Sequence, residues 1–188
     1  MKKFSIFNSV IAIFLVGIVF MGIFAIRKVE KKYFYPLRHV EIIFKYASIY
    51  QLSPILVVSL INTESSFDRL AESEKGAKGL MQITDSTAEY IAGKLKKDEY
   101  NIFDESTNIM FGCYYLRYLL DKFKVEETAL CAYNAGETKV REWLGNKEYS
   151  LDNERLSIIP YKETKNYIER IYKNKAKYKK LYKNILDK

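Results

Sequence analysis

An all-α domain behind one N-terminal membrane-spanning helix is the architecture this sequence predicts. Three observations predict it: strand signals are almost absent, apolar residues recur at helical spacing through most of the chain, and Phe4–Ile26 runs without a charge. At 188 residues the chain has room for one domain of ordinary size. Its apolar content of 48% beside 29% charged residues excludes a wholly disordered chain.

The run FSIFNSVIAIFLVGIVFMGIFAI reaches about 35 Å as a helix, against a hydrocarbon core of roughly 30 Å. Lys2 and Lys3 precede it, and Arg27, Lys28, Lys31 and Lys32 follow, so the positive-inside count does not choose an orientation. A cleaved secretory signal is the competing reading. The run is longer than a usual signal core, however, Ile23 and Ala25 match a small-x-small cleavage site poorly, and no cysteine follows directly for lipid attachment, all of which favour an uncleaved anchor. The chain therefore divides into a basic end (residues 1–3), an anchor (4–26), a charged and aromatic connection (27–35) and a helical domain (36–188).

Within the domain Val40, Ile43, Phe44, Ala47 and Tyr50 mark a first helix. Ser53 and Pro54 supply an N-cap and a first-turn proline for a second, PILVVSLINTE, which is apolar nearly all round and so is expected at the centre. Asp85 or Ser86 is the expected cap of a third helix reaching about Leu95. Ser106–Phe123 is the longest periodic segment, with Ile109, Cys113, Leu116 and Leu120 on one face. Glu126–Ala135 ends at Gly136, Lys139–Leu144 adds a turn or two, and a last helical stretch runs from Lys162 to about Leu186.

The formal charge is +8, and most of it sits at the end: Lys165–Lys188 carries nine Lys or Arg against Glu169 and Asp187. Such an end attracts polyanions, whether nucleic acid, anionic lipid or acidic wall polymer. Cys113 and Cys131 are too few for a disulfide framework and read as buried free thiols, a bridge between helices being the alternative outside the cytosol. With His39 the only histidine, no Cys/His zinc site can be assembled.

The chemistry concentrates in NTESSFDRLAESEKGAKGLMQIT, Asn62–Thr84. Glu64 falls in the last turn of the apolar helix, where burial and the helix C-terminus both disfavour the ionised carboxylate and raise its pKa. A raised pKa suits a general acid. On this residue alone, a side chain escaping to solvent is the simpler account. The sequence downstream shifts the balance: Gly76, Ala77 and Gly79 let backbone approach a ligand closely, and Ser73 and Gln82 offer hydrogen bonds, as an extended hydroxyl- and amide-rich polymer requires.

Glu64–Gln82 resembles the signature of the soluble lytic transglycosylase catalytic domain, a relative of goose-type lysozyme. Three further blocks agree in order: TNIMFGCYYLRYLLDKF, ALCAYNAGETKV and IPYKETKNYIERI. The resemblance implies a lysozyme-like helical domain that cleaves the β-1,4 bond between N-acetylmuramic acid and N-acetylglucosamine, with formation of 1,6-anhydro-N-acetylmuramic acid and no metal or organic cofactor. It implies that Glu64 is the single acid/base, and that Ser73, Gln82, Tyr133, Asn134, Tyr161 and Glu163 line the substrate cleft. Arg69, Asp85, Glu105 and Glu137 stand where the family often has proline, and Thr138 where it often has glycine. Asp68 and Asp85, the nearest aspartates downstream, read as a loop anchor and a helix cap.

The expectation is thus a membrane-anchored enzyme on the outer, wall side of a cytoplasmic membrane. Its partners are peptidoglycan glycan strands, the membrane through residues 4–26, and anionic wall polymers along the basic end. The alternatives are a muramidase using water in the same cleft and a non-catalytic wall-binding scaffold of a secretion apparatus. Nucleic acid is not an expected partner.

Overall fold

The computed structural model describes residues 2–186; Met1, Asp187 and Lys188, counted above in the charged ends, lie outside the described residues. The chain separates into two compact units divided between Pro36 and Leu37.

The first unit is α1 (Lys2–Val29) continued by a π-helical turn, Glu30–Phe34. Most of the expected connection at 27–35 is therefore helical. From Val10 onward the large apolar side chains of α1 are exposed, Phe14, Phe20 and Phe24 by about two-thirds or more. This is the one unbent helix among the described residues long and apolar enough to cross a membrane.

The second unit contains α2 (Val40–Ile49), α3 (Pro54–Ser65), α4 (Asp85–Leu95), α5 (Glu105–Phe123), α6 (Glu126–Ala135), α7 (Glu137–Gly145) and α8 (Lys162–Leu186). No strand occurs among the described residues, where only isolated bridges join Lys78 to Glu72 and to Ile83. The apolar character of α3 has its expected consequence: every residue from Leu56 to Ile61 is buried. Its main packing partner is α8, which turns Tyr167, Ile168, Ile171 and Tyr178 inward. Ser53 precedes Pro54 in extended conformation, but its side chain makes no capping hydrogen bond.

The cap of α4 differs from expectation. Thr84, not Asp85 or Ser86, caps α4 by accepting from the Thr87 N–H, while the Asp85 carboxylate is held by Lys78 Nζ at 2.8 Å. A hydroxyl at the N-cap satisfies the exposed amide equally well and leaves the acid free to pair with a cation. Asp104 caps α5 through the Thr107 N–H at 2.8 Å, starting that helix one residue before Ser106. Gly136 behaves as read, ending α6 at φ 89°, and α7 begins immediately after it. Cys113 and Cys131 are buried and unbonded.

The loop between α3 and α4 is fixed from below by Asn108, which is 1% exposed. Its Oδ1 accepts from the Met81 N–H at 2.7 Å, and its Nδ2 donates to the Lys78 and Ile102 carbonyls at 2.9 Å. Gly79, at φ 75°, makes room for this, since a Cβ there would lie 2.3 Å from Asn108 Nδ2. Substituting Asn108→Ala orphans one amide and two carbonyls, at a cost of roughly 2–4 kcal/mol in unfolding free energy. Urea denaturation checks this, and a loss below about 0.5 kcal/mol contradicts it.

Candidate active site

Glu64 sits one residue before the end of α3, where Ser66 (φ 52°) and Phe67 (φ 66°) take left-handed conformations and turn the chain sharply away. Phe67 is 3% exposed and plugs the corner. Ser65 Oγ makes the next tie, donating to the Ile61 carbonyl and to the Leu80 carbonyl at 2.9 Å. The end of α3 and the start of the glycine-containing loop are thereby clamped together, and the Glu64 carboxyl faces a cavity of about 420 Å³.

That cavity brings Ser73, Gln82, Tyr133, Asn134 and Glu163 around Glu64, with Glu74, Lys75, Ala77 and Thr84 completing the wall. Tyr161 is not part of the wall: half exposed, its ring meets Trp143 edge-on at 4.9 Å. The lining side chains also hold one another in place. Ser73 Oγ accepts from the Ala77 N–H, and Gln82 Nε2 donates to the Ala71 and Gly79 carbonyls at 3.1 and 3.0 Å. Tyr133 donates its hydroxyl to the Met81 carbonyl at 2.8 Å, and Asn134 Oδ1 accepts from Thr164 Oγ1. Lys75 and Glu163 pair at 3.5 Å, with both side chains largely in solvent.

The decisive neighbour of Glu64 comes from α8. Tyr167, 1% exposed, donates its hydroxyl to Glu64 Oε1 at 2.5 Å across 103 residues of sequence. About two turns further along α8, Asn174 Nδ2 donates to Thr63 Oγ1 at 2.8 Å and fixes the same turn of α3. Burial pushes the Glu64 pKa up from 4.5 to about 7, and the Tyr167 hydrogen bond and the Arg170 charge, which both favour the carboxylate, offset this only in part. The phenols of Tyr133 and Tyr167 are driven well above 10 by burial first and then by the Glu64 charge, so both stay neutral donors.

Glu64 is thus protonated up to about neutral pH and has a neutral donor ready for its conjugate base. The other carboxyl groups in the wall, Glu74 and Glu163, are exposed. Asp68 anchors the loop by accepting from the Leu70 N–H, and Asp85 is engaged with Lys78. No cluster of metal-ligating side chains occurs among the described residues.

Comparison with known proteins adds to this geometry. Residues 41–156 match the family described as the transglycosylase SLT domain. The chain belongs to that family. The soluble lytic murein transglycosylase of Escherichia coli is 30% identical to this SLT chain over 151 residues, 77% of the chain but 23% of the relative. The membrane-bound lytic murein transglycosylase C of Histophilus somni is 29% identical over 167 residues, 76% of the chain and 46% of the relative. Among solved structures, the inactive mutant E503Q of the Pseudomonas aeruginosa lytic transglycosylase Slt superposes with a TM-score of 0.67 at 25% identity. That superposition covers 78% of the chain and 24% of the other. The chain spans less than a quarter of the length of the soluble relatives it matches.

Folded Glu64 binds its proton more tightly than the unfolded chain does, so the stability it contributes is full below pH 4.5 and is lost as pH rises toward 7. Replacing Glu64→Gln removes that dependence. The variant is expected to gain on the order of 2–3 kcal/mol relative to the native chain between about pH 4.5 and pH 8. Thermal melts across that range check it, and a pH-independent difference contradicts it.

Proposed function

We propose that this chain is a membrane-anchored lytic transglycosylase that cleaves the MurNAc-β-1,4-GlcNAc bond of peptidoglycan and leaves 1,6-anhydro-N-acetylmuramic acid. The observation that carries the reading is Glu64, a carboxyl group held protonated to about pH 7 in the wall of a polar cavity. Protonated Glu64 donates to the glycosidic oxygen as the bond to C1 breaks, and the muramoyl N-acetyl oxygen stabilises the developing cation. The resulting Glu64 carboxylate takes the proton of the C6 hydroxyl of the same sugar, whose oxygen closes on C1. The proton lent in the first step returns in the second, and no water is consumed. Tyr167 supports the charged form between the two steps through its hydrogen bond to Oε1.

Ser73, Gln82, Tyr133, Asn134 and Glu163 are the substrate-holding residues in this reading, with Tyr161 at the rim and no cofactor. The relatives' names support murein as the substrate. The apolar helix α1 supports anchoring, with the domain boundaries read from the sequence and the catalytic unit on the wall side, where the substrate is. Lys162, Lys165, Lys173, Lys180 and Lys183 are exposed along α8 and suit anionic wall polymers.

Digestion of purified peptidoglycan by the full chain in detergent, read by mass spectrometry, tests the proposal. Anhydro-muropeptides are expected from the native chain, with a loss of about 10²–10⁴-fold or more in Glu64→Gln. Reducing-end products mean that water is the nucleophile and overturn the transglycosylase reading in favour of a muramidase.

The pH profile tests the proton's source. kcat/KM falls as pH rises through about 7, where Glu64 loses its proton. Tyr167→Phe removes a donor that favours the carboxylate, so the falling limb moves to higher pH. An unmoved or lowered limb contradicts the role given to Tyr167.

A further inference from the structure

We infer that Lys75 determines specificity: its ammonium leaves Glu163 to bind a carboxylate carried by the muramoyl residue, so that the cavity selects strands whose carboxyl groups are free. The substrate is taken from the reading above; the placement and charge of Lys75 are independent of it.

Lys75 stands at the tip of a tight turn in the cavity wall. The Gly76 N–H donates to the Ser73 carbonyl at 2.9 Å, the Ser73 N–H donates to the Ala77 carbonyl at 2.9 Å, and Gly76 takes φ 74°. Ser73 Oγ closes the base of the turn by accepting from the Ala77 N–H at 3.0 Å, while Asn108 and Gln82 hold the rest of the loop. None of these ties uses the Lys75 side chain, which is 79% exposed. A fixed turn thus carries an ammonium that the loop does not need for its own structure.

The partner of that ammonium comes from another part of the wall. Glu163 lies in the first turn of α8, and its carboxylate is 3.5 Å from Lys75 Nζ with 70% of its side chain in solvent. An ion pair this exposed contributes little to holding a fold together, and it exchanges readily for another. Lys75 is also the one cation in the described wall, where Glu74 and Glu163 are both acidic. A carboxylate entering the cavity therefore meets two carboxylates and a single ammonium able to balance it. As the ligand displaces water, the new pair becomes stronger than the solvated pair it replaces. Arg170 is the cation that acts on the Glu64 proton, so Lys75 is not needed to set that proton. Muramic acid offers the carboxylate in two ways: its own lactyl carboxyl when no peptide is attached, and the carboxyls of an attached peptide.

The test is kcat/KM of the full chain in detergent on strands with and without attached peptide, each with its carboxyls free or amidated, for the native protein, Lys75→Gln and Lys75→Arg. Amidating the substrate and substituting Lys75→Gln are each expected to lower kcat/KM by about 3- to 10-fold, mainly through KM, and together to lower it no further than either does alone. Lys75→Arg keeps the preference for free carboxyls, and the falling limb near pH 7 does not move in any Lys75 variant. Dependence on Lys75 confined to peptide-free strands identifies the lactyl carboxylate, and dependence confined to peptide-bearing strands identifies the peptide carboxylates. Equal effects of Lys75→Gln on free and amidated strands, or no effect on either, overturn the inference. Its failure leaves anhydro-product formation by the native chain intact, whereas absence of cleavage of every strand overturns the cleavage reading itself.

Discussion

The packing of α3 against α8 is the constraint on which the rest of the domain depends. A carboxyl group at the end of an apolar helix ordinarily swings into water, and its pKa then stays where it is in a peptide. Here the closely packed Ile61, Ile168 and Ile171 keep the two helices together, and Tyr167 holds Glu64 by one oxygen before it can leave. Burial and the hydrogen bond act in opposite directions on the proton, and burial is the larger. The outcome is a group that keeps its proton up to about neutral pH yet has a hydrogen-bonded charged form, as a residue serving in turn as acid and base requires.

The loop from Ala71 to Ile83 is the second layer of the same arrangement. Its backbone bonds to itself through Ser73, Gly76, Ala77 and Lys78, while Asn108 holds its underside and Tyr133 its far end. Gln82 is held at φ 50°, an unfavourable conformation for a non-glycine residue that the two hydrogen bonds of its own amide maintain. Gly112 extends the same constraint into α5, since a Cβ there would lie 2.3 Å from Met81 Sδ. Side chains assigned to the substrate are thus first members of the scaffold, so a rigid wall surrounds Glu64 before any ligand binds.

Much of this is visible in the sequence because it is local. Pro54 starts α3, an all-round apolar stretch identifies that helix as central, Gly136 separates α6 from α7, and a glutamate after ILVVSLINT stands out against its surroundings. What escapes sequence reading is non-local. Tyr167 looks like one more periodic apolar residue of α8 until the chain folds it onto Glu64. Asn108 lies beside the apolar stripe of Ile109, Cys113 and Leu116, and nothing nearby indicates that its three partners come from two separate loops. Asp85 satisfies the composition rule for a cap, but a cation seven residues upstream competes for it and Thr84 takes the position. Tyr161 sits within a block of cleft-like sequence, and its ring lies edge-on to Trp143, a residue eighteen positions earlier that the same block gives no sign of.

The central claim is that the fold itself holds the proton on Glu64, independently of any substrate. A carbon-13 NMR titration of the glutamate side-chain carboxyls in the ligand-free protein, with the Glu64 resonance assigned by its disappearance in Glu64→Gln, measures this directly. The account predicts a midpoint near 7 for that one resonance. A midpoint near 4.5 would mean that the carboxylate is as well solvated as in an unfolded peptide, and would contradict the account.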